Sequence, residues 1–249
     1  MGAQTGSLKV TRVLVLIATI PPRRASCERL LRELTKQSRQ PDALILCCDG
    51  YGGKCIPAPT STIPLAYAVF TPFMCGPGRR WQAALDAGVD PEDIIINLDD
   101  DVYLGKAPEL IRALVTAVEE GGAAAAMGMT PDGKRAPPGR FSRGNLIYAA
   151  GCGLALRTKH LEGLQELAAE VKAAGGPDAL GVCGDDDALV SAHLWRKGIT
   201  IKHAATGVIQ AALGSQDVSQ TKMRLARGEK LDDQKRAIAR ITGWKWPGS

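Results

Sequence analysis

The chain predicts an α/β protein with a mostly parallel central sheet flanked by helices, and three observations carry that prediction. Val13–Thr19 is an unbroken β-branched and Leu-rich run, the pattern of a strand covered on both faces. A helical stretch follows at once, "CERLLRELTKQ", with Leu30, Leu31 and Leu34 on one face. After Pro41 a second apolar run, "ALILCC" (43–48), ends at Asp49-Gly50. Strand, helix, strand in this order is a βαβ unit, whose strands are parallel and whose crossover is right-handed.

The same alternation continues along the chain. "LAYAVF" (65–70) reads as a third strand and "RRWQAALDAG" (79–88) as a short helix closed by glycine. "DIIINL" (93–98) reads as a fourth strand, "APELIRALVTAVEEGG" as a helix with a Gly stop, and "AAAAMGM" as another strand. The stretch 131–145 is rich in Pro, Gly and Arg and reads as a loop within one domain. Apolar character resumes in "LIYAAGCGLALR", with helices expected at 159–174 and over "ALVSAHLWRKG", and a short strand at "ITIKHA". The end, 220–241, has a helical stripe of Leu231, Ile238 and Ile241. A single domain over 1–249 is expected: a nucleotide-binding half to 105, an acceptor and catalytic half over 106–220, and a basic helical tail over 221–249.

At 249 residues, 45% hydrophobic and 23% charged, the composition suits a globular protein with a sizeable core. The run 13–20 is far short of the ~20 residues a membrane span needs and is followed by Pro-Pro-Arg-Arg, so a cytoplasmic protein is expected. Seven cysteines with no CxxC pair fit a reducing compartment rather than a zinc site, and Cys47 and Cys48 fit a buried strand. The formal charge of +5 is concentrated at the end: eight basic and three acidic residues in 221–249 leave 23 of each sign in residues 1–220, out of totals of 31 and 26. Aromatic residues make up only 4%, too few for nucleic-acid stacking platforms, so no nucleic-acid partner is expected. A basic tail instead suits a phosphate, peripheral contact with an anionic membrane surface, or solvent.

The chemistry concentrates at strand ends, where open parallel sheets bind ligands. Thr19, Arg23 and Arg24, then Asp49, then Asp99, Asp100 and Asp101 all follow predicted strands. Alternation along a strand would point Asp99 and Asp101 one way and Asp100 the other. Three carboxylates at the end of a buried strand repel unless a cation offsets them, and oxygen ligands of this kind suit Mg²⁺ or Mn²⁺ beside substrate phosphates. The plainer alternative is a solvated acidic turn. A second triplet, Asp185, Asp186 and Asp187, opens the helix "ALVSAHLWRKG". Capping and the helix dipole account for one of its members, and a carboxylate held there can also act as a general base.

Three segments together resemble a known family, the nucleotide-sugar-dependent glycosyltransferases of the GT-A fold, and most closely the large inverting family 2. They are "VLVLIATIPPRRASCERLLRELTKQSRQPDALILCCDGY", "DIIINLDDDVYL" in the place of the DxD motif, and "GDDDALVSAHLWRKG" in the place of the acidic pair before a helix that ends in Gly. The resemblance implies a Rossmann-like GT-A fold, a nucleoside-diphosphate sugar as donor and a glycan or other hydroxyl as acceptor. It implies that Asp49 meets the base or ribose of the donor, with Thr19 and Pro21 walling the pocket. Asp99 would touch the ribose or the metal, Asp101 would be the principal ligand of Mn²⁺ or Mg²⁺, and Arg23 and Asp100 belong to the same donor crevice. Asp187 matches the catalytic base and Asp186 precedes it, although with three acidic residues these two could exchange roles.

The chain departs from the family before the fourth strand, where "GPGRRWQAAL" replaces a Gly-rich ARN stretch. Arg79 or Arg80 could reach the diphosphate there, the alternative being an exposed arginine pair. His203 follows the last strand, where some relatives place a metal-binding His, although a lone His is more often structural. His160 and His193 fall in helical patterns outside the site. Trp195 falls on the core side of its helix, and Trp244 and Trp246 suit packing of the chain end, an acceptor platform or a lid. Two other functions fit the acidic clusters: a sugar-phosphate nucleotidyltransferase, which needs a Gly-rich phosphate loop that "TIPPRR" lacks, and a non-catalytic metal-binding module with a binding tail.

Overall fold

A computed structural model describes residues 11–52, 62–71, 76–105, 107–136, 145–150, 152–181, 184–204 and 231–247. The first strands and helices stand close to where periodicity puts them: β1 (Val13–Thr19), α1 (Arg24–Leu34), β2 (Ala43–Asp49), β3 (Leu65–Thr71), α2 (Arg79–Asp86), β4 (Ile94–Asp99) and α3 (Leu110–Gly121). Short strands follow: β5 (Ala123–Ala125), β6 (Gly128–Met129), β7 (Arg135–Ala136), β8 (Asn145–Leu146) and β9 (Tyr148–Ala149). The chain then gives β10 (Cys152–Arg157), α4 (Leu164–Ala173), α5 (Asp186–Arg196), β11 (Ile201–His203) and α6 (Leu231–Thr242).

Among the described residues the main sheet has eight strands in the order β3-β2-β1-β4-β10-β5-β11-β8. The first four are mutually parallel, β10 is antiparallel to both its neighbours, β11 is again parallel to β5, and β8 is antiparallel to β11. This is the mostly parallel α/β sheet the sequence predicts, regular first and mixed afterwards. A small sheet, β7-β6-β9, stands beside it.

Alternation along the strands divides the core between two faces. Val13, Val15 and Ile17 pack with Leu30, Leu31 and Leu34 of α1 and with Leu110, Ile111 and Leu114 of α3. Leu14 and Leu16 pack on the other face with Trp81 of α2, Leu167 of α4, Leu189 and Leu194 of α5 and Ile238 of α6. Each fully buried Leu or Ile contributes about 1.5–3 kcal/mol, so both faces of β1 hold the sheet.

Some boundaries differ from the periodic reading. Helix α1 starts three residues before Cys27, because the two prolines of the 3-10 turn Pro21–Arg23 set its first φ angles. It ends at Leu34, and beyond it the Gln37 amide donates to the Ala107 carbonyl. "AAAAMGM" is two strands rather than one. The chain leaves the main sheet after Ala125, and Gly128 passes so close to β9 that a Cβ there would stand 2.0 Å from the Tyr148 carbonyl oxygen. "LIYAAGCGLALR" is likewise shared among β8, β9 and β10. Of the tail helix predicted over 220–241, residues 231–241 are helical and 220–230 lie outside the described residues, as do 137–144 of the Pro- and Gly-rich loop. Among the described residues no helix is long and apolar enough to cross a membrane.

Candidate active site

Strands β2 and β3 lie on one side of β1, and the chain crosses back through α2 to place β4 on the other, so the order reverses between β1 and β4. Ligands of open α/β sheets sit at such a point, beyond the carboxyl ends of the strands. Ala18 pairs with Asp99 in register, so Thr19, Pro21 and Arg23 leave β1 beside the three aspartates that leave β4. Asp49 ends β2, one strand away.

The first aspartate triplet divides unequally. The strand stops at Asp99 and turns, the Val102 amide donating back to the Asp99 carbonyl (3.1 Å). Strand alternation therefore does not extend to the next two residues, which corrects the expectation that Asp101 points with Asp99 and away from Asp100. Asp100 and Asp101 both face Arg23: Nη1 donates to Asp100 Oδ1 at 2.8 Å and Nη2 lies 3.1 Å from Asp101 Oδ2. Asp99, with 35% of its side chain exposed, pairs instead with Arg80 Nη1 at 2.8 Å.

Arg80 joins the two halves of the site. It sits in the first turn of α2, and the chain before it presses against the turn that precedes α5. A Cβ at Gly78 would stand 2.4 Å from the Leu180 backbone, so only glycine allows that approach. Arg80 is buried, which corrects the reading of residues 79 and 80 as an exposed pair; only Arg79 is exposed. Arg80 Nε donates to Asp186 Oδ2 at 3.1 Å, and Nη2 lies 2.9 Å from the same oxygen and 3.5 Å from Asp187 Oδ1. The Trp81 indole also donates to Asp186 Oδ2, at 2.9 Å. Asp186 is thus fastened by three donors, while the Arg80 contact to Asp187 is longer and 16% of the Asp187 side chain is exposed.

Asp185 is the N-cap of α5, its Oδ1 accepting from the Ala188 amide at 3.0 Å. Lys235 of α6 approaches its other oxygen at 3.8 Å. Among the described residues the crevice therefore gathers six carboxylates, Asp99 to Asp101 and Asp185 to Asp187, around Arg23, Arg80 and Lys235.

That excess of negative charge, together with burial, sets the proton affinities. Burial raises the Asp100 carboxyl to about 6, with Arg23 pulling the other way. Burial also raises Asp101. Asp187 is held well above the ordinary carboxylate range by burial and by the charge of Asp186, against the opposing pull of Arg80. Burial by itself would lower the Arg23 and Arg80 guanidinium values, but their aspartate partners outweigh it and hold both above the ordinary value.

The other predicted residues are placed as follows. Asp49 is buried and accepts from the Thr71 hydroxyl at 2.5 Å and from the Gly76 amide at 2.8 Å, so it also fastens the end of β3. Thr19 is buried, and Pro21 begins the turn into α1. His203 lies on β11, three strands from β4 and so about 14 Å along the sheet, and its Nε2 meets the Ala126 carbonyl at 3.1 Å. Asp99, Asp101 and His203 are not gathered together: among the described residues no group of three or more His, Cys, Asp and Glu could hold a metal ion. The donors that remain for the expected ion are two carboxylates, one paired with Arg80 and the other with Arg23. Asp99 and Asp101 are hard oxygen donors at an open strand end with surplus negative charge, and Mg²⁺-type sites often use one or two carboxylates plus substrate phosphates.

Trp195 is 37% exposed, which corrects its assignment to the core: α5 is buried through Leu194 and leaves the core at its final turn. Trp244 and Trp246 are buried, as packing of the chain end requires. Sequence reasoning passed over Trp81, Lys235 and Tyr148, and also Glu33, whose carboxylate accepts from the Leu104 amide at 2.6 Å and steadies the segment after the first triplet. The available signal was a glutamate in the apolar stripe of α1, where a charge is stable only with a partner.

No protein-family profile and no curated protein sequence matches the chain. Solved structures do. TarS residues 1–349 from S. aureus superposes with a TM-score of 0.53 at 16% identity, covering 96% of this chain and 73% of that one. A longer TarS structure aligns at 14% identity and a TM-score of 0.48, covering 96% of this chain and 44% of that one. At 16% identity the likeness to the 1–349 structure is one of fold alone, a Rossmann-like α/β sheet flanked by helices.

Proposed function

We propose that this protein is a glycosyltransferase of the GT-A, family 2 type, moving a sugar from a nucleoside-diphosphate sugar to an acceptor hydroxyl with inversion. The observation that supports it most is the convergence of two acidic groups, one from a strand end and one from a helix start, on the single buried Arg80. Phosphate chemistry alone needs only the first group; a second carboxylate beside it serves proton removal from an acceptor.

In this reading Thr19, Pro21 and Asp49 line the pocket of the donor nucleotide, and Arg23 at the mouth of the crevice meets the diphosphate. Asp101 and Asp99 would hold Mn²⁺ or Mg²⁺, which when bound stabilises the charge of the departing diphosphate as a Lewis acid. Asp187 takes the acceptor hydroxyl proton while that oxygen attacks the anomeric carbon. The bond from that carbon to the diphosphate breaks, and its electron pair leaves with the phosphate oxygen. Asp187 suits the base role better than Asp186, whose Oδ2 is held by Arg80 and Trp81 and whose side chain is 5% exposed against 16% for Asp187.

A thermal-shift screen of nucleotide sugars with Mn²⁺ tests the reading. One donor at a hundredfold excess over its dissociation constant should add about 2.7 kcal/mol of stability. The reading fails if no nucleotide sugar stabilises the protein, or if nucleoside triphosphate plus sugar phosphate releases pyrophosphate instead.

A further inference from the structure

Lys235 comes from the far end of the chain, yet its ammonium is nearly enclosed, with 12% of the side chain exposed. It lies 4.7 Å from the ring centre of Tyr148 on β9 and 5.1 Å from that of Trp246. Those two rings meet edge to face at 5.6 Å, Trp246 meets Trp244 at 5.2 Å with the rings tilted at 45°, and the Trp244 indole donates to the Ile147 carbonyl at 3.1 Å. On the third side stands Asp185 Oδ2, at 3.8 Å. Two aromatic faces and one carboxylate therefore fix a cation, and cation–π contacts of this kind strengthen as water is excluded.

The carboxylate in that box is the cap of the helix that carries Asp186 and Asp187 in its first turn. One oxygen of Asp185 holds the Ala188 amide and the other faces Lys235, so the ammonium bears on the helix start through the cap. We infer that Lys235 is a positioning residue: through Asp185 it fixes the first turn of α5, and with it the carboxylate of Asp187 against the acceptor. The inference rests on the transferase reading given above. It makes the chain end part of the site, since α6 and the two tryptophans build the box that aims Lys235.

Lys235→Met removes the charge and keeps much of the apolar stem; Lys235→Arg keeps the charge; Asp185→Asn keeps a capping side chain and removes the partner. Lys235→Met and Asp185→Asn should each lower kcat about ten- to hundredfold, with donor KM within about twofold of wild type. Lys235→Arg should recover most of the loss, and combining Lys235→Met with Asp185→Asn should cost no more than either alone. Hydrogen exchange gives a readout that needs no activity: the Ala188 amide should exchange at least about fivefold faster in Lys235→Met, while the amides of 238–241 in α6 stay protected. Unchanged exchange at Ala188, or a rise in donor KM in place of the fall in kcat, overturns the inference. A wild-type protein inert toward every nucleotide sugar overturns the transferase reading instead, and the exchange comparison then decides the Lys235–Asp185 link by itself.

Discussion

The two aspartate triplets, 99–101 and 185–187, are the same three letters with different fates, because different elements precede and follow them. The first ends a strand. Its opening member stays at the strand end beside Arg80, and the next two turn together onto Arg23. The second opens a helix: its first member caps the helix, the second is fastened by Arg80 and Trp81, and the third is left partly open. Exposed backbone amides stabilise negative charge at a helix start, whereas a strand end offers no such dipole. The first triplet depends on arginines for its balance, and the second draws on the helix as well.

Replacing the residue the triplets share tests that comparison most severely. Arg80→Met leaves Asp99, Asp186 and Asp187 without their common cation, with the carboxylate of Asp186 buried. Stability measured by urea unfolding should fall by about 3–5 kcal/mol, and transfer should be lost. A variant that unfolds at the wild-type midpoint would mean that the triplets do not depend on Arg80.

Asp187→Asn separates the triplets by role. Turnover should drop about a thousandfold, while donor affinity measured by calorimetry stays near wild type, because donor contacts belong to the first triplet. If donor affinity falls and turnover per bound donor does not, the roles are reversed.

The pH dependence of stability sharpens the contrast on the other side. Asp100 is raised from 3.8 to about 6, so the native state holds its proton more tightly than the unfolded chain. That contribution is complete below pH about 4 and is lost as pH rises through about 6, at most about 3 kcal/mol in all. Urea unfolding of wild type and Asp100→Asn across pH 4 to 7 should show the wild-type advantage shrinking over that window and flat above it. A constant difference would place the Asp100 carboxyl in its ordinary range.

Much of the fold was legible because its signals are local. Val13–Thr19, the βαβ opening and the strand before Asp99 are continuous apolar runs, and burial on both faces allows little else. The second half was less legible: β6, β8 and β9 are two residues each, too short to show a period, and their pairing depends on close approaches such as that at Gly128. The acidic residues of the candidate site were visible as triplets. Their partners were not, since Arg80 looks like any surface arginine until a turn 100 residues later covers it.

The sequence by itself determined that carboxylates would crowd a strand end and a helix start, and that an α/β sheet would carry them, because hydrophobic period and charge clustering are properties of neighbours along the chain. Only the tertiary structure decided how those charges are shared: Arg23 to Asp100 and Asp101, Arg80 between the two triplets, Lys235 to the cap. Ion pairing and desolvation act through space, over distances of a few ångströms that separations of about 20 to 110 residues along the chain do not encode.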